Sequence, residues 1–235
     1  MAESNANVLI IDIDSEKINK LTDSLKKQYP NQTFIGHKID VSKEKQVEKI
    51  PKIVNEKFKG KLHGLVNCIQ YKPKSFFNDI RKYSLQEWEE IFAVNVFSIF
   101  LLVKHLLPNL KKAKGASIVN LSSTYAIVSP NPEIYKNTNM GCPAVYSASK
   151  GAVHSFTKYL ACYYADDKIR VNSVTPHGVS NKHQKTFVKN FSKLSPLNRM
   201  SETDEVSPTI LFLLSDKSSY VTGANYKIDG GWTSW

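Results

Sequence analysis

The 235-residue chain is long enough for one large domain with its own core, and we treat residues 1–235 as a single domain. Hydrophobic residues make up 41% and charged residues 23% of the sequence, which excludes disordered and collagen-like classes. The net charge of +11 is spread over helical-looking segments rather than massed in one run, which predicts a solvated basic surface and no nucleic-acid partner.

The apolar runs are short or interrupted, and no basic-plus-apolar signal region opens the chain, so we expect a cytoplasmic protein without a membrane partner. Three cysteines lack the spacing of metal ligands and are expected to be free thiols in a reducing compartment, namely Cys68, Cys142 and Cys162. No metal site is predicted.

Six short, β-prone apolar segments alternate with helical patterns. They are residues 8–11, 33–37, 64–67, 117–121, 170–174 and 225–228. This alternation is typical of βαβ units and predicts an α/β, Rossmann-like, doubly wound fold with a mostly parallel sheet.

Start signals support the predicted helices. Asp14 or Ser15 can cap a helix that ends near Gln28, and Ser84 with Glu87 forms a capping-box pattern before a long helix. That helix, residues 88–110, and a second one, residues 145–164, carry more apolar residues than one sheet face requires. We therefore expect both helices at a homo-oligomer contact.

Two segments have no clean period and are predicted to be irregular. Residues 129–143 form a long loop between a strand and a helix, a position where loops are often functional. Residues 177–193 are interpreted either as a lid or as a surface excursion, and both interpretations stay open.

Tyr146 and Lys150 lie four residues apart in a small-residue segment with helical character. That spacing places both side chains on one helix face. Because a fixed ammonium stabilises a nearby phenolate, the pair can donate and accept a proton. The same spacing also arises by chance on many helices, so the pair gains weight only from its context.

Two polar residues provide that context. Ser123 follows a predicted parallel strand at its carboxyl end, where ligands bind in open α/β sheets. Asn95 lies inside an otherwise apolar helix, where a buried amide needs a partner, and a kink or a water-lined site would explain it.

In chain order, Asn95, Ser123, Tyr146 and Lys150, with Tyr-Ser-Ala-Ser-Lys around the tyrosine, resemble the catalytic tetrad of the short-chain dehydrogenase/reductase family. Further segments are similar to family landmarks in the right order, and they are residues 40–41, 65–68, 169–176, 196–199, 221–225 and 229–231. The resemblance therefore covers nearly the whole chain.

The resemblance implies an NAD(P)-dependent oxidoreductase that interconverts an alcohol and a ketone by hydride transfer, assembled as a homodimer or homotetramer. It makes Tyr146 the general acid/base and gives Lys150 two roles, lowering the pKa of the tyrosine and binding the nicotinamide ribose. Ser123 would hold the substrate oxygen, and Asn95 would support a proton-relay water.

Cofactor preference is predicted from Asp12, which closes the first strand, because a carboxylate there accepts bonds from a ribose diol and repels a 2′-phosphate. We therefore expect NAD rather than NADP. Asp14 can share this role or merely cap the next helix. By resemblance, the remaining cofactor residues are Asp40 and Val41 beside the adenine, Asn67 beside its ribose, and Pro176, Gly178 and Val179 beside the nicotinamide.

The sequence departs from the family at several points. Residues 67–70 read Asn-Cys-Ile-Gln instead of Asn-Asn-Ala-Gly, and His177 replaces a glycine. The family opens with a strand, a glycine-rich turn and a helix that binds pyrophosphate. Only seven residues precede Val8. We therefore expect the family's first strand and glycine-rich turn to be missing, through a misplaced start or a truncation. Apolar strand edges would then be exposed, unless the neighbouring strands close up or another chain fills the gap.

Substrate and activity remain open at this stage. Residues 129–143 and 230–235 resemble short-chain enzymes linked to bacterial nonulosonic-acid (acylneuraminate) sugar pathways, which makes a sugar-derived substrate one expectation. Trp232 and Trp235 can instead pack at a subunit contact. His177 and His183 can contact substrate, but a surface position is the expectation for both. The alternative function is a non-catalytic relative, a binding or oligomerisation protein that has lost dinucleotide binding.

Overall fold

The computed structural model describes residues 1–234, in which strands and helices alternate. Trp235, one of the two tryptophans considered for a subunit contact, lies outside this range. The elements are β1 (Val8–Asp12), α1 (Ser15–Gln28), β2 (Phe34–Lys38), α2 (Glu44–Val47), α3 (Ile50–Lys57), β3 (Gly64–Asn67), α4 (Leu85–Phe92), α5 (Ser98–Ala113), β4 (Ser117–Leu121), α6 (Ala144–Tyr163), β5 (Arg170–Pro176), α7 (Lys185–Ser192), α8 (Thr203–Leu214) and β6 (Asn225–Ile228).

All six predicted strands form. β3, β4 and β6 have the predicted bounds, β2 is shifted by one residue, β1 runs one residue further and β5 runs on to Pro176. The predicted caps also form, because Asp14 accepts a bond from the Lys17 amide at the start of α1, and Ser84 and Glu87 make a reciprocal capping box at α4.

The strands pair in parallel throughout, but in two separate sheets. β1 pairs only with β2, whereas β3, β4, β5 and β6 form a four-stranded sheet in sequence order. The predicted α/β Rossmann-like fold is confirmed. Within residues 1–234 no strand pairs with the second edge of β1 or with the outer edge of β3, so both edges carry unpaired backbone groups. The neighbouring strands therefore do not close the gap.

The core lies on both faces of the four-stranded sheet. Every residue of β4 is buried, and alternate side chains point to opposite faces. Ile118 packs with α5 and α6, whereas Val119 and Leu121 pack with α8. Helices on both faces make this sheet doubly wound, as predicted.

A π-helical turn, Ala93–Phe97, joins α4 and α5 into one unbroken helix. This helix, Leu85–Ala113, has 29 residues and a mean hydropathy of 1.9 in its most apolar part, so by length and composition it is a candidate membrane span. Leu102, Leu106 and Leu110 on α5 pack into the core, which is the pattern of a core helix. This length of apolar helix was not expected, because polar residues interrupt the apolar run in the sequence.

The segment after β5 differs from the prediction of an irregular region. It contains the two-turn helix α7, whose Phe187 and Phe191 are four residues apart and both buried. The loop at residues 129–143 is irregular as predicted, apart from a 3-10 turn at Pro132–Tyr135.

Candidate active site

The candidate catalytic pair lies at the beginning of α6, beside the carboxyl end of β4. Tyr146 is in the first turn and Lys150 follows one turn later, as the spacing predicts. The Lys150 Nζ lies 5.7 Å from the centroid of the Tyr146 ring and donates a hydrogen bond to the Leu121 carbonyl oxygen at 2.6 Å. Lys150 is therefore anchored to the end of β4 and is only 4% exposed.

Burial dominates the titration of both side chains. It raises the pKa of Tyr146 above its usual value of 10, and hydrogen bonding to Ser123 opposes the shift. It lowers the pKa of Lys150 to about 8. The expected lowering of the Tyr146 pKa by Lys150 stays a prediction, because desolvation dominates the shift of the phenol and the Lys150 ammonium is bonded to a carbonyl oxygen.

Ser123 is buried immediately after β4. Its Oγ accepts a hydrogen bond from the Tyr125 amide at 3.2 Å and so begins a short 3-10 turn. This backbone bond holds the hydroxyl beside Tyr146, where it lowers the pKa of the phenol against the effect of burial. The hydroxyl therefore lies next to the group predicted to transfer the proton.

The buried amide of Asn95 has found its partners. It lies in the π-helical turn, where its Oδ1 accepts a bond from the Tyr71 amide at 3.0 Å and its Nδ2 donates to Ser149 Oγ at 3.1 Å. The predicted kink is thus a π turn, a device frequent at functional sites. Because Ser149 lies on α6 between Tyr146 and Lys150, Asn95 links the π turn to the catalytic helix.

Aromatic rings that sequence reasoning missed surround Tyr146. The rings of Phe76 and Tyr125 lie 5.4 and 6.2 Å from its ring centroid. The Tyr125 and Tyr135 hydroxyls are 2.7 Å apart, within one buried cluster that also contains Trp232. The only sequence signal was the density of aromatic residues in the two loops, which does not say which rings meet.

A backbone bond connects the two loops that carry these rings. The Gly141 amide donates to the Phe77 carbonyl oxygen at 2.8 Å. A Cβ at Gly141 would overlap this oxygen, so glycine is required for the close approach. The loop before α4 and the loop before α6 therefore meet over Tyr146.

His177 is buried, contrary to the surface position that we expected. It is 6% exposed, stacks on Phe191 at 4.2 Å and meets Trp232 edge-on at 4.7 Å. The expectation failed because the end of β5 points into the aromatic cluster rather than to solvent. Burial lowers the pKa of His177 to about 4. His183 is exposed, as expected.

A large cleft lies between the unpaired edges of β1 and β3. It has a volume of about 1410 Å³. Four predicted cofactor residues line it, namely Asp12, Asp40, Val41 and Asn67. The structure therefore brings the whole predicted adenosine group to one place.

The polar groups of this cleft differ in how many hydrogen bonds they already make. The Asp12 carboxylate is at the exposed end of β1 and accepts only the Asp14 amide, at 3.0 Å. Asp40 accepts the amide and hydroxyl of Ser42 at 2.9 and 2.7 Å. Asn67 donates to Asn120 Oδ1 at 2.7 Å, while its own Oδ1 is buried without a partner. Of the two roles left open for Asp14, capping of α1 is the one observed.

The predicted nicotinamide residues lie apart from that cleft, at the end of β5. Pro176 ends the strand, and Val179 forms a parallel bridge with Ser201. A Cβ at Gly178 would overlap Phe191, so this glycine serves ring packing. None of the three lines the cleft, and the predicted cofactor residues therefore form two groups.

Comparison with known proteins agrees with this geometry. The family model described as enoyl-(acyl carrier protein) reductase matches residues 1–233. The chain belongs to the short-chain dehydrogenase/reductase family. It is 32% identical over 246 residues to cyclopentanol dehydrogenase from a Comamonas species, and the match covers 100% of this chain and 90% of that protein. This membership makes it an enzyme of the NAD(P)-dependent oxidoreductase type.

Two solved structures have the same fold. A short-chain dehydrogenase/reductase from Mycobacterium ulcerans superposes with a TM-score of 0.86 at 23% identity, covering 97% of this chain and 80% of that one. ElxO with NADP bound superposes with a TM-score of 0.83 at 23% identity, covering 100% of this chain and 91% of that one. Both show that the fold of this chain occurs in solved structures.

Proposed function

We propose that this short-chain dehydrogenase/reductase transfers a hydride between a nicotinamide dinucleotide and a carbonyl or alcohol substrate. One observation carries the proposal. Tyr146, Lys150 and Ser123 converge at the carboxyl edge of the parallel sheet, where ligands bind in open α/β folds. The dinucleotide supplies the hydride when bound, and the side chains supply the proton and orient the reacting oxygen.

The proton chemistry follows from the raised pKa of Tyr146. A phenol that stays protonated at neutral pH is a ready proton donor to the oxygen of a carbonyl. The Ser123 hydroxyl lies beside it and can donate a hydrogen bond to the same oxygen. Lys150 holds positive charge below a pH of about 8, which favours developing negative charge on the oxygen. The same groups serve the reverse reaction, in which Tyr146 accepts the proton of an alcohol.

The cleft suits the adenosine of a dinucleotide better than it suits the pyrophosphate. Asp12 offers a carboxylate with free acceptor capacity, and Asn67 offers an unpartnered amide oxygen, both suited to an adenosine. Within residues 1–234 no glycine-rich turn borders this cleft, so the described lining lacks the free backbone N–H groups that a pyrophosphate needs.

Within this proposal Asp12 favours NAD, because its carboxylate would repel a 2′-phosphate. ElxO, which has the same fold, binds NADP. A direct comparison of NADH and NADPH decides between them. Replacement of Asp12 by asparagine removes the repulsion and should shift the preference toward NADPH by about tenfold, measured as the ratio of the two kcat/KM values.

Substitution of the catalytic tyrosine tests the function. Tyr146→Phe should reduce ketone-dependent oxidation of NAD(P)H by about 10²–10⁴-fold, because it removes only the proton donor. Cofactor affinity should stay nearly unchanged, which titration calorimetry checks. Tyr159→Phe, an exposed tyrosine on the same helix, is the matched control. Wild-type turnover in Tyr146→Phe would refute the mechanism, and no turnover in any form would favour the non-catalytic alternative.

We propose that the substrate is a cyclic ketone, a class that includes sugar-derived ketones. Aromatic rings on both sides of Tyr146 can pack against a ring-shaped substrate. The link to nonulosonic-acid pathways rests on the sequence resemblance of residues 129–143 and 230–235. A panel of sugar ketones and carbocyclic ketones distinguishes the two classes.

We propose that α5 and α6 form a homo-oligomer contact in a cytoplasmic protein. Phe97, Phe100 and Tyr159 are about half exposed, and Phe156, Tyr159 and Tyr163 form a stacked row on α6. An apolar surface of this kind marks an interaction site. Light scattering should show a dimer or tetramer, and Phe100→Glu should dissociate it, because a buried carboxylate is costly. A wild-type monomer at micromolar concentration would contradict this proposal.

A further inference from the structure

We infer that His177 is a specificity-determining residue that binds a second, uncharged oxygen of the substrate, remote from the carbonyl that is reduced. The inference deepens the proposed function and rests on it. The substrate would have a ring that lies against aromatic side chains and a hydroxyl or keto oxygen that reaches the imidazole.

The first observation is an orphaned polar atom. The Nε2 of His177 is buried and has no hydrogen-bond partner among residues 1–234. A buried polar group without a partner costs free energy, and most such groups in proteins are paired. The rings of Phe191 and Trp232, which cover the imidazole at 4.2 and 4.7 Å, provide no conventional acceptor at their faces. An incoming oxygen would satisfy this atom.

The second observation is continuity with the catalytic tyrosine. Trp232 lies 5.9 Å from Tyr125, and Tyr125 lies 6.2 Å from Tyr146, measured between ring centroids. His177 therefore belongs to the same group of rings as Tyr146, with two rings between them. His177 and Tyr146 line neither of the two described cavities, so a ligand reaches both only by displacing the rings of Tyr125 and Trp232 that lie between them. Side-chain rearrangement of this size is common when ligands bind.

The charges around His177 define the class of the second oxygen. The nearest carboxylate, Asp229, accepts bonds from the Thr233 hydroxyl and the Gly231 amide and faces the imidazole side of the cluster. An anionic ligand group would meet this carboxylate in an apolar surrounding, which is unfavourable. A neutral hydroxyl or keto oxygen needs no counter-charge and fits a neutral imidazole, which can donate or accept a bond.

Two ketones of the same skeleton test the assignment, namely the bicyclic monoketone decalone and the corresponding diketone decalindione. Calorimetric titration of the whole chain, with and without NAD, measures binding without turnover. The wild-type protein should bind the diketone at least about tenfold more tightly, since one buried hydrogen bond separates the two ligands. His177→Phe should remove this preference. His183→Phe, an exposed histidine on the same segment, should retain it.

Thermal unfolding provides a second measurement. If His177 had a purely structural role, the change in the unfolding midpoint would have the opposite sign. His177→Phe keeps a planar ring between Phe191 and Trp232 but removes the orphaned nitrogen. The midpoint should therefore rise by about 2–4 °C. A lower midpoint together with an unchanged ligand ratio would show that His177 only fills space. Failure of both ketones to bind the wild-type protein would also overturn the inference, whereas loss of hydride transfer alone would overturn only the proposed function.

Discussion

The two parts of this molecule differ in how completely their backbone is paired. β4 is bonded on both sides and all its residues are buried, Ser123 follows its carboxyl end, and its last carbonyl oxygen anchors Lys150. β1 is bonded on one side only, and none of its residues is buried. The difference teaches that one sheet can assemble a group of polar side chains while the cleft beside it is bordered by strand edges that have no partner within residues 1–234.

The largest test of this contrast concerns cofactor affinity. The 235-residue chain should bind NADH in the millimolar range, because two or three charged hydrogen bonds to the pyrophosphate are missing and each contributes roughly 1.5–3 kcal/mol. A longer polypeptide that begins upstream with a strand and a glycine-rich turn should bind about a thousandfold more tightly. Titration calorimetry measures both values.

The control for this experiment is the same extension with its turn glycines replaced by valine. This variant can still fill the gap with a strand but cannot bring its backbone N–H groups close to the pyrophosphate. It should bind no better than the 235-residue chain. A micromolar dissociation constant for that shorter chain would show that other residues bind the pyrophosphate, and the basic residues near Lys182 and Lys185 would be the first candidates.

Local patterns explain which features the sequence could predict. The parallel strands follow from short β-prone runs between helical patterns, and the buried amide of Asn95 indicated a local irregularity that the structure shows as a π turn within a continuous helix. The burial of His177 and the contact between Phe76 and Tyr146 were not predictable. Both depend on which distant loops meet, and neither composition nor spacing along the chain carries that information. The raised pKa of Tyr146 was missed for the same reason, since burial is a property of the folded chain.

A matched pair of truncations measures the packing contrast directly. Ile118 in β4 is fully buried, whereas Ile10 in β1 is half-buried beside the cleft. Ile118→Ala should lower the free energy of unfolding by about 2–5 kcal/mol, because it leaves a cavity in a close-packed core. Ile10→Ala should cost less than about 1 kcal/mol, since the side chain already borders open space.

Urea denaturation of the two variants provides these values. Equal losses would mean that the cleft is closed in solution and that the contrast between the two sheets is wrong. In the longer polypeptide the cost of Ile10→Ala should increase, because a strand in the gap would cover this side chain. That increase would link the packing result to the affinity result.

The smallest expected effect concerns the Lys150 ammonium, which is buried beside the four-stranded sheet. The pKa of Lys150 is lowered by burial from 10.5 to about 8, so between these two values the unfolded chain binds more protons than the folded chain. The free energy of unfolding should therefore rise with pH from about 8 to about 10.5, by at most about 3 kcal/mol. Below pH 8 both states carry the charge, and the folded state bears the full cost of desolvation.

Lys150→Met removes this titration while keeping an unbranched side chain. Its difference in stability from the wild-type protein should change over that pH window, with the variant relatively most stable at neutral pH, where the wild-type protein buries an ammonium. The gain is reduced because the Leu121 carbonyl oxygen loses its donor. Lys158→Met, at an exposed position on the same helix, should follow the wild-type curve at every pH. Parallel curves for Lys150→Met and the wild-type protein would mean that water reaches this ammonium, and the catalytic side would then be as open as the cofactor cleft.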